Sequence, residues 1–413
     1  MTLDKKIINE AILQISNDIM PVDPAELNVL GGKAGIAYFY ASMYKYFQQE
    51  VYLEEAIRRL EIVVDGLNAG NLLHQRAAFS IGDGVAGVAW VLERMRNMQC
   101  LEESEINAEL EDMVTYSLQV DAHARCYDLF YGVVGKGVYF LERYPEGASF
   151  EQLVRIVDML EDFSTYENGY RKWPDQLKMK TENGTEPIYN MGLAHGLPSI
   201  IIFLCKVIHT VPAITKARTL LTDALHWLRS FRTDTLNDAY YPSLVVGNAC
   251  KNSGNLSWCY GDLGIAVALL SAYEITKEQA HYDEAIQLAQ RCSLRRLHNS
   301  GIKQSRKKQV HDVCFCHGSA GLANLFHRIY QKSGCIEMKV TAEYWLHTCL
   351  YQGRNNGLPD SIGGFMGATV GKDRRTKWRK DPGLLNGASG VGLCLLSFAD
   401  GSANNWDSLF LTN

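Results

Sequence analysis

Two cysteines and one histidine stand out by their position. Cys259 lies in SWCYGDLG, and Cys316 with His317 lies in CFCHGSAG. In both segments the cysteine stands two residues before the first glycine of a Gly-x-x-Gly pattern, with Tyr260 or His317 between. Two thiolates and an imidazole form a soft ligand set that suits zinc. Three protein ligands leave a fourth position open, as a catalytic site requires and a structural one does not. The spacing is not that of a zinc finger or ribbon, so the shared register carries the reading. Taken singly, each cysteine reads as a small buried hydrophobe. Two thiolates already neutralise the ion, so a third bound sulfur would be deprotonated at neutral pH and still electron-rich. That favours attack by a thiol on an electrophile over activation of water. Cys314 alternates to the other side of an extended segment and reads as a core residue.

The same register recurs along the chain. Gly-x-x-Gly heads an apolar run at Gly32, Gly84, Gly132, Gly261, Gly318 and Gly387, and at Gly196 with Ser199 replacing the second glycine. The residues just before these glycines are Gly31, Asp83, Tyr131, His195, Tyr260, His317 and Asn386. All but Gly31 can hydrogen-bond, ionise or bind a metal. His195 shares the slot of His317, but Ala194 stands where Cys316 stands. His195 is therefore expected to face the same space without binding the metal. There an imidazole can give or take a proton near neutral pH, whereas a capping or core histidine is the plainer alternative.

Elements that place these residues follow from periodicity. The glycine-headed runs are apolar nearly all round and predict helices buried on most sides. Between them lie amphipathic stretches such as EEAIRRLEIVVDGL from Glu54 and ARTLLTDALHWLRSF from Ala217. Their apolar residues recur at i, i+3, i+4 and i+7, which predicts outer helices with one wet face. Seven such pairs predict an all-α fold, an α/α toroid of seven inner and seven outer helices, closed like a ring where an open solenoid would need caps. One domain over 1–413 is expected, with long loops near 164–193, 294–313 and 353–385. The second loop is basic, with Arg295, Arg296, Lys303, Arg306, Lys307 and Lys308. It reads as a solvated loop or as a contact patch for an acidic peptide or partner.

A net charge of −5 argues against nucleic-acid binding driven by counterion release. No stretch reads as a signal peptide or a membrane span, which predicts a cytoplasmic protein, with peripheral contact to a membrane complex still open. In that compartment the eleven cysteines are not a disulfide framework.

SWCYGDLG, CHGSAG, LAHGLPS, YDLFYGVVG and the final NGASG resemble the lanthionine synthetase C family over essentially the whole chain. The resemblance implies zinc held by Cys259, Cys316 and His317. It implies addition of a peptide cysteine thiol to dehydroalanine or dehydrobutyrine, giving a thioether ring. It makes His195 a candidate acid that protonates the enolate, with Asp128 and Tyr260 lining the same site. In one cyclase type of the family an arginine stands four residues before the first zinc cysteine; here that position is Asn255. The chain has no room for a dehydratase or kinase domain. The expected partners are a dehydrated precursor peptide, a separate dehydratase and export machinery. Alternatives are an enzyme adding free glutathione, a zinc-dependent prenyltransferase-like toroid, and a non-catalytic peptide-binding scaffold.

Overall fold

A computed structural model describes residues 4–413 except 73–76, 177, 182–183, 234–238, 248, 253, 354–357, 359, 372, 374 and 401–404. Fourteen α-helices carry the fold among the described residues. In chain order they are α1 (Lys5–Ile19), α2 (Lys33–Phe47), α3 (Glu50–Asn68), α4 (Val85–Asn97), α5 (Glu105–Ala124), α6 (Val133–Arg143), α7 (Ser149–Phe163), α8 (Leu197–Thr210), α9 (Lys216–Arg229), α10 (Asp262–Thr276), α11 (Gln279–Ser293), α12 (Ser319–Ser333), α13 (Ile336–Gly353) and α14 (Ala388–Asp400).

The even-numbered helices are the glycine-headed ones. Each packs against the even-numbered helix on either side, and α14 packs against α2, so the inner ring closes. Each inner helix also packs on the odd-numbered helix that follows it, and α1 covers α14. This α/α toroid therefore has no uncapped repeat, which removes the open ends an array would expose. The apolar stripe of α1, Ile8, Ile12, Ile15 and Ile19, is buried, whereas α8 and α10 are buried on almost every side. The core is the layer between the two rings together with the inner ring itself.

The glycines have a steric cause. Ahead of each inner helix the chain folds back over the first turn. At Gly321 a Cβ would lie 1.8 Å from the Phe315 carbonyl oxygen, so any side chain would push the loop off the helix. Gly261 differs from the other helix-heading glycines, with φ of 108°, a conformation that strongly favours glycine.

The predicted loops are partly strands. Thr165–Glu167 pairs with Tyr170–Lys172 in an antiparallel hairpin. Lys178–Thr181, Gly184–Asn190, Leu244–Val246 and Ala249–Lys251 form a four-stranded antiparallel sheet. Its last two strands were not expected, because LVV and ACK are too short to show a period. Residues 294–313 hold a 3-10 turn at Leu297–Asn299 and a small hairpin of Gln304–Ser305 with Val310–His311. Gly367–Val370 pairs with Thr376–Arg379. Of the segments 164–193 and 353–385, residues 177, 182–183, 354–357, 359, 372 and 374 lie outside the described residues. Among the described residues no helix is long and apolar enough to cross a membrane.

Candidate metal centre

The loops before the inner helices meet at one end of the bore, and backbone hydrogen bonds stitch them together. Ala194 N donates to Cys259 O, Trp258 N to Cys316 O, and Cys316 N to Leu385 O, at 3.3, 3.0 and 3.2 Å. Leu385 N donates to Leu30 O, Leu30 N to Gly82 O, and Gly82 N to Phe130 O. At the junction of the third and fourth loops the bridge is made by side chains, His195 with Asp128. Pre-glycine residues far apart in sequence are thereby held around one space.

Cys259 Sγ, Cys316 Sγ and a ring nitrogen of His317 all lie within 4.8 Å of one another. His317 also belongs to a second group, with Asp312 and Cys314. That group is closed to substrate: Asp312 and Cys314 are fully buried, whereas Cys259, Cys316 and His317 are half-buried and reach the cavity. Cys314 is the core residue expected from alternation, and its Sγ accepts from the His317 backbone N. Asp312 Oδ2 stands 3.1 Å from His317 Nε2, off the line of a good hydrogen bond. A carboxylate behind a ligating imidazole fixes the ring and raises its basicity.

The protonation pattern fits a cation site. The Cys316 sulfur beside it is the main reason Cys259 is held well below the ordinary thiol value; burial opposes this and His317 assists. Cys316 is pushed well above, first by the Cys259 sulfur and then by burial. Burial works to lower His317, but Cys314 and Asp312 raise it far above the usual imidazole range. Burial likewise works to raise Asp312, and the His317 ring holds it below the ordinary carboxyl value. The two sulfurs and the imidazole shift one another's proton affinities, a crowding of donor atoms that a divalent cation would relieve.

Ser257 fixes the turn that carries Cys259. Its hydroxyl donates to Tyr260 O at 2.8 Å and accepts from Tyr260 N at 3.2 Å, while Cys259 Sγ lies 3.4 Å away. Below the site the bore is closed by aromatic rings. Phe315 and Phe410 stand 4.5 Å apart between centroids, Trp258 and Phe410 5.3 Å, and Phe130 and Trp258 5.7 Å. Phe410 sits on the 3-10 turn Trp406–Phe410, anchored by Asp407 against Arg328 inside the bore.

His195 faces this cavity. Its Nδ1 lies 2.7 Å from Asp128 Oδ2. Asp128 Oδ1 accepts from Phe130 N and Tyr131 N at 2.7 and 3.0 Å, so the carboxylate is locked in place. Burial works to lower His195, but the Asp128 hydrogen bond and charge outweigh it, and the imidazole titrates above 6.5. The Tyr260 hydroxyl accepts from Asn190 Nδ2 at 3.2 Å, and its ring centroid is 6.4 Å from that of His195. Asn255 is exposed and packs against Gly301, where Arg295 donates to the neighbouring Gly254 O. Sequence reasoning missed Asp312 and Ser257, whose offsets from the cysteines carry no pattern. It also missed the aromatic floor, of which the tryptophan of SWCYG was the one available hint.

The sequence pattern of the lanthionine synthetase C-like proteins matches residues 23–411. The chain belongs to that family. Nisin cyclase has a similar structure, with a TM-score of 0.71 at 19% identity over 99% of this chain and 97% of that one. The Danio rerio protein "Glutathione S-transferase LANCL1" is 24% identical over 331 residues, covering 78% of this chain and 75% of that protein. The likeness to nisin cyclase establishes a shared helical toroid, and the lanthionine-cyclase fold is thus the frame in which the cysteine-histidine cluster sits.

Proposed function

We propose that this chain is a zinc-dependent lanthipeptide cyclase, acting as a single toroidal domain over residues 1–413. The observation that carries the reading is the meeting of Cys259, Cys316 and His317 in one cavity with the His195–Asp128 pair. Cys259, Cys316 and His317 would hold the zinc, and Asp312 would brace His317 from behind. Zinc bound there supplies a low thiol pKa for a substrate cysteine, whose sulfur stays nucleophilic beside two thiolates.

The remaining steps belong to the chain's own residues. The aromatic floor keeps water from the far side of the site. The substrate sulfur forms a bond to the β-carbon of a dehydroalanine or dehydrobutyrine, and the π pair of the C=C moves onto the α-carbon and carbonyl as an enolate. His195, held by Asp128 through Nδ1, presents Nε2–H to the cavity and gives that proton to the α-carbon. The net change is addition of S–H across the double bond. Tyr260 lines the same wall and positions the peptide. The substrate is a dehydrated precursor peptide, so a separate dehydratase must act first and export machinery afterwards, in the cytoplasm.

The likeness to a protein described as a glutathione S-transferase favours one second reading, in which the thiol is free glutathione. A synthetic peptide holding one cysteine and one dehydroalanine separates the two. Cyclisation removes the free thiol without changing the mass, whereas glutathione addition raises the mass by one glutathione. A zinc-loaded protein that does neither would leave a peptide-binding scaffold.

A further inference from the structure

The metal cavity occupies the end of the bore where the inner helices begin. At the other end, where they finish, lies a second cavity of about 640 Å³. Arg94, Glu142, Lys206 and Ser271 wall it from the C-terminal halves of α4, α6, α8 and α10, and Ser408 and Asn413 from the segment that follows α14. Val138, Leu141 and Ile275 give it an apolar side. Residues 406–413 therefore separate the two cavities. Phe410 belongs to the aromatic floor of the first, whereas Ser408 and Asn413 line the second. The reaction described above makes no use of this second cavity.

Lys206 reaches into it from α8. Its Nζ donates to Asn413 O and Oδ1 at 3.2 and 2.7 Å. Burial, with the Lys332 charge second, pushes this amine down to about 8, and an anion alongside would reverse that shift. The acidic groups on the wall are already matched: Glu142 pairs with Arg94 at 3.3 Å and Glu274 with Lys332 at 2.7 Å. Among the described residues no acidic side chain lies within ion-pair distance of Lys206, or of Lys277, which also lines the cavity. Ser271 is an independent sign of a ligand. It is 5% exposed, and its hydroxyl has no hydrogen-bond partner among the described residues. A serine inside a helix can satisfy itself on the carbonyl four residues back, as Ser42 does on Tyr38 O and Ser397 on Leu393 O. Ser271 does not, and Ser408 Oγ is buried and unpartnered as well. A buried hydroxyl that meets no protein group is costly unless something else in the cavity meets it.

These groups select a ligand class. A buried amine without a carboxylate partner calls for an anion, but the charge on offer is small. The inner helices turn their C-terminal ends, which carry partial negative charge, toward this mouth. A phosphate ester with about −1.5 to −2 charges would be opposed by them, whereas Lys206 can meet a single negative charge. A carboxylate also offers Nζ two oxygens, as Asn413 does. We propose that this cavity binds a small organic carboxylate. Its anionic end lies on Lys206, a second polar group on Ser271 and Ser408, and a short apolar body on Val138, Leu141 and Ile275. The proposal uses no step of the cyclase reading and stands or falls apart from it.

Ligand-observed NMR titration of the purified protein decides it. The probe is N-acetyl-leucine, which carries a carboxylate, an amide and an isobutyl group; N-acetyl-leucinamide differs from it in lacking the charge. The acid is expected to bind, and the amide to bind about tenfold more weakly or worse. Lys206→Gln should weaken binding of the acid by about tenfold or more. Ser271→Ala should weaken it by about threefold to tenfold and leave the thermal midpoint unchanged, because the hydroxyl it removes has no protein partner to lose. Cys316→Ala, at the metal centre, should bind the acid like the wild type. Absence of binding, equal binding of acid and amide, or equal affinity of Lys206→Gln and wild type would overturn the proposal. So would loss of binding in Cys316→Ala, since the carboxylate would then sit at the metal centre. Tighter binding of isobutyl phosphate than of 3-methylbutanoate would overturn the ligand class. If Lys206→Gln does not fold, the acid–amide comparison on the wild type and the Ser271→Ala protein still decide.

Discussion

Replacing His195 by Asn removes, among the described residues, the imidazole that faces the cavity without a place in the cysteine-histidine cluster. The change is small, and Asp128 keeps its two backbone donors, Phe130 N and Tyr131 N, so the loop should hold its shape. Zinc binding should be unchanged, because no ligand is touched. Loss of a general acid costs about 10²-fold or more in rate, which is roughly 2.7 kcal/mol of barrier. Asp128→Asn is the finer test. Its Oδ1 still accepts the two backbone N–H groups, but an amide NH₂ now faces His195 Nδ1 in place of a carboxylate 2.7 Å away. The imidazolium loses its counter-charge, and the His195 pKa should fall from its raised position. His195 acts protonated, so the rate should fall as pH rises through its pKa, and this fall should come at lower pH in Asp128→Asn. The same raised pKa stabilises the fold below the unfolded value of about 6.5, and that contribution is lost as pH rises through the folded value. The assay follows loss of free thiol in a dehydrated peptide from about pH 5 to about pH 9, with metal content measured in parallel. Full activity in zinc-loaded His195→Asn, or superimposable pH profiles for Asp128→Asn and wild type, would refute this assignment and turn attention to Tyr260.

Asp312→Asn should weaken zinc binding by about 10- to 100-fold in competition with a chromophoric chelator, because the charge that braces His317 is removed while the ligands stay. Gly321→Ala places a Cβ 1.8 Å from the Phe315 carbonyl, so the loop carrying Cys316 must move. Its thermal midpoint should drop measurably, by about 2 kcal/mol or more of stability, and zinc content should drop with it. Asp407→Ala removes the carboxylate that meets the buried Arg328 guanidinium at 2.6 and 2.9 Å. About 3–5 kcal/mol of destabilisation should appear in denaturant unfolding, whereas a variant that removes both charges together should lose less.

The repeat was legible because its signal is steric and local. The first glycine of the pattern, where a Cβ would meet the loop backbone as at Gly196 and Gly318, recurs in every repeat, so aligning on it also aligned His195, Tyr260 and His317. The cysteines shared that register, and the closed ring then brings them together. Asp312 and Ser257 left no such trace, since each acts through the turn of a single loop. The sheet pairing Gly184–Asn190 with Leu244–Val246 joins segments more than fifty residues apart, and three-residue strands show no alternation. The aromatic floor was hidden for another reason. Trp258, Phe315 and Phe410 each look like ordinary core residues, and only closure of the ring stacks them beneath one cavity.

Zinc-dependent ring closure tests the central claim most directly. The purified protein should carry about one zinc per chain, and with a dehydrated peptide it should consume one thiol per ring formed without a change in mass. Cys316→Ala should lose most of the metal and the activity together while remaining folded by circular dichroism. Full zinc occupancy in Cys316→Ala, or ring closure at the wild-type rate after the metal has been removed, would contradict the assignment of Cys259, Cys316 and His317 as the site of thiol activation.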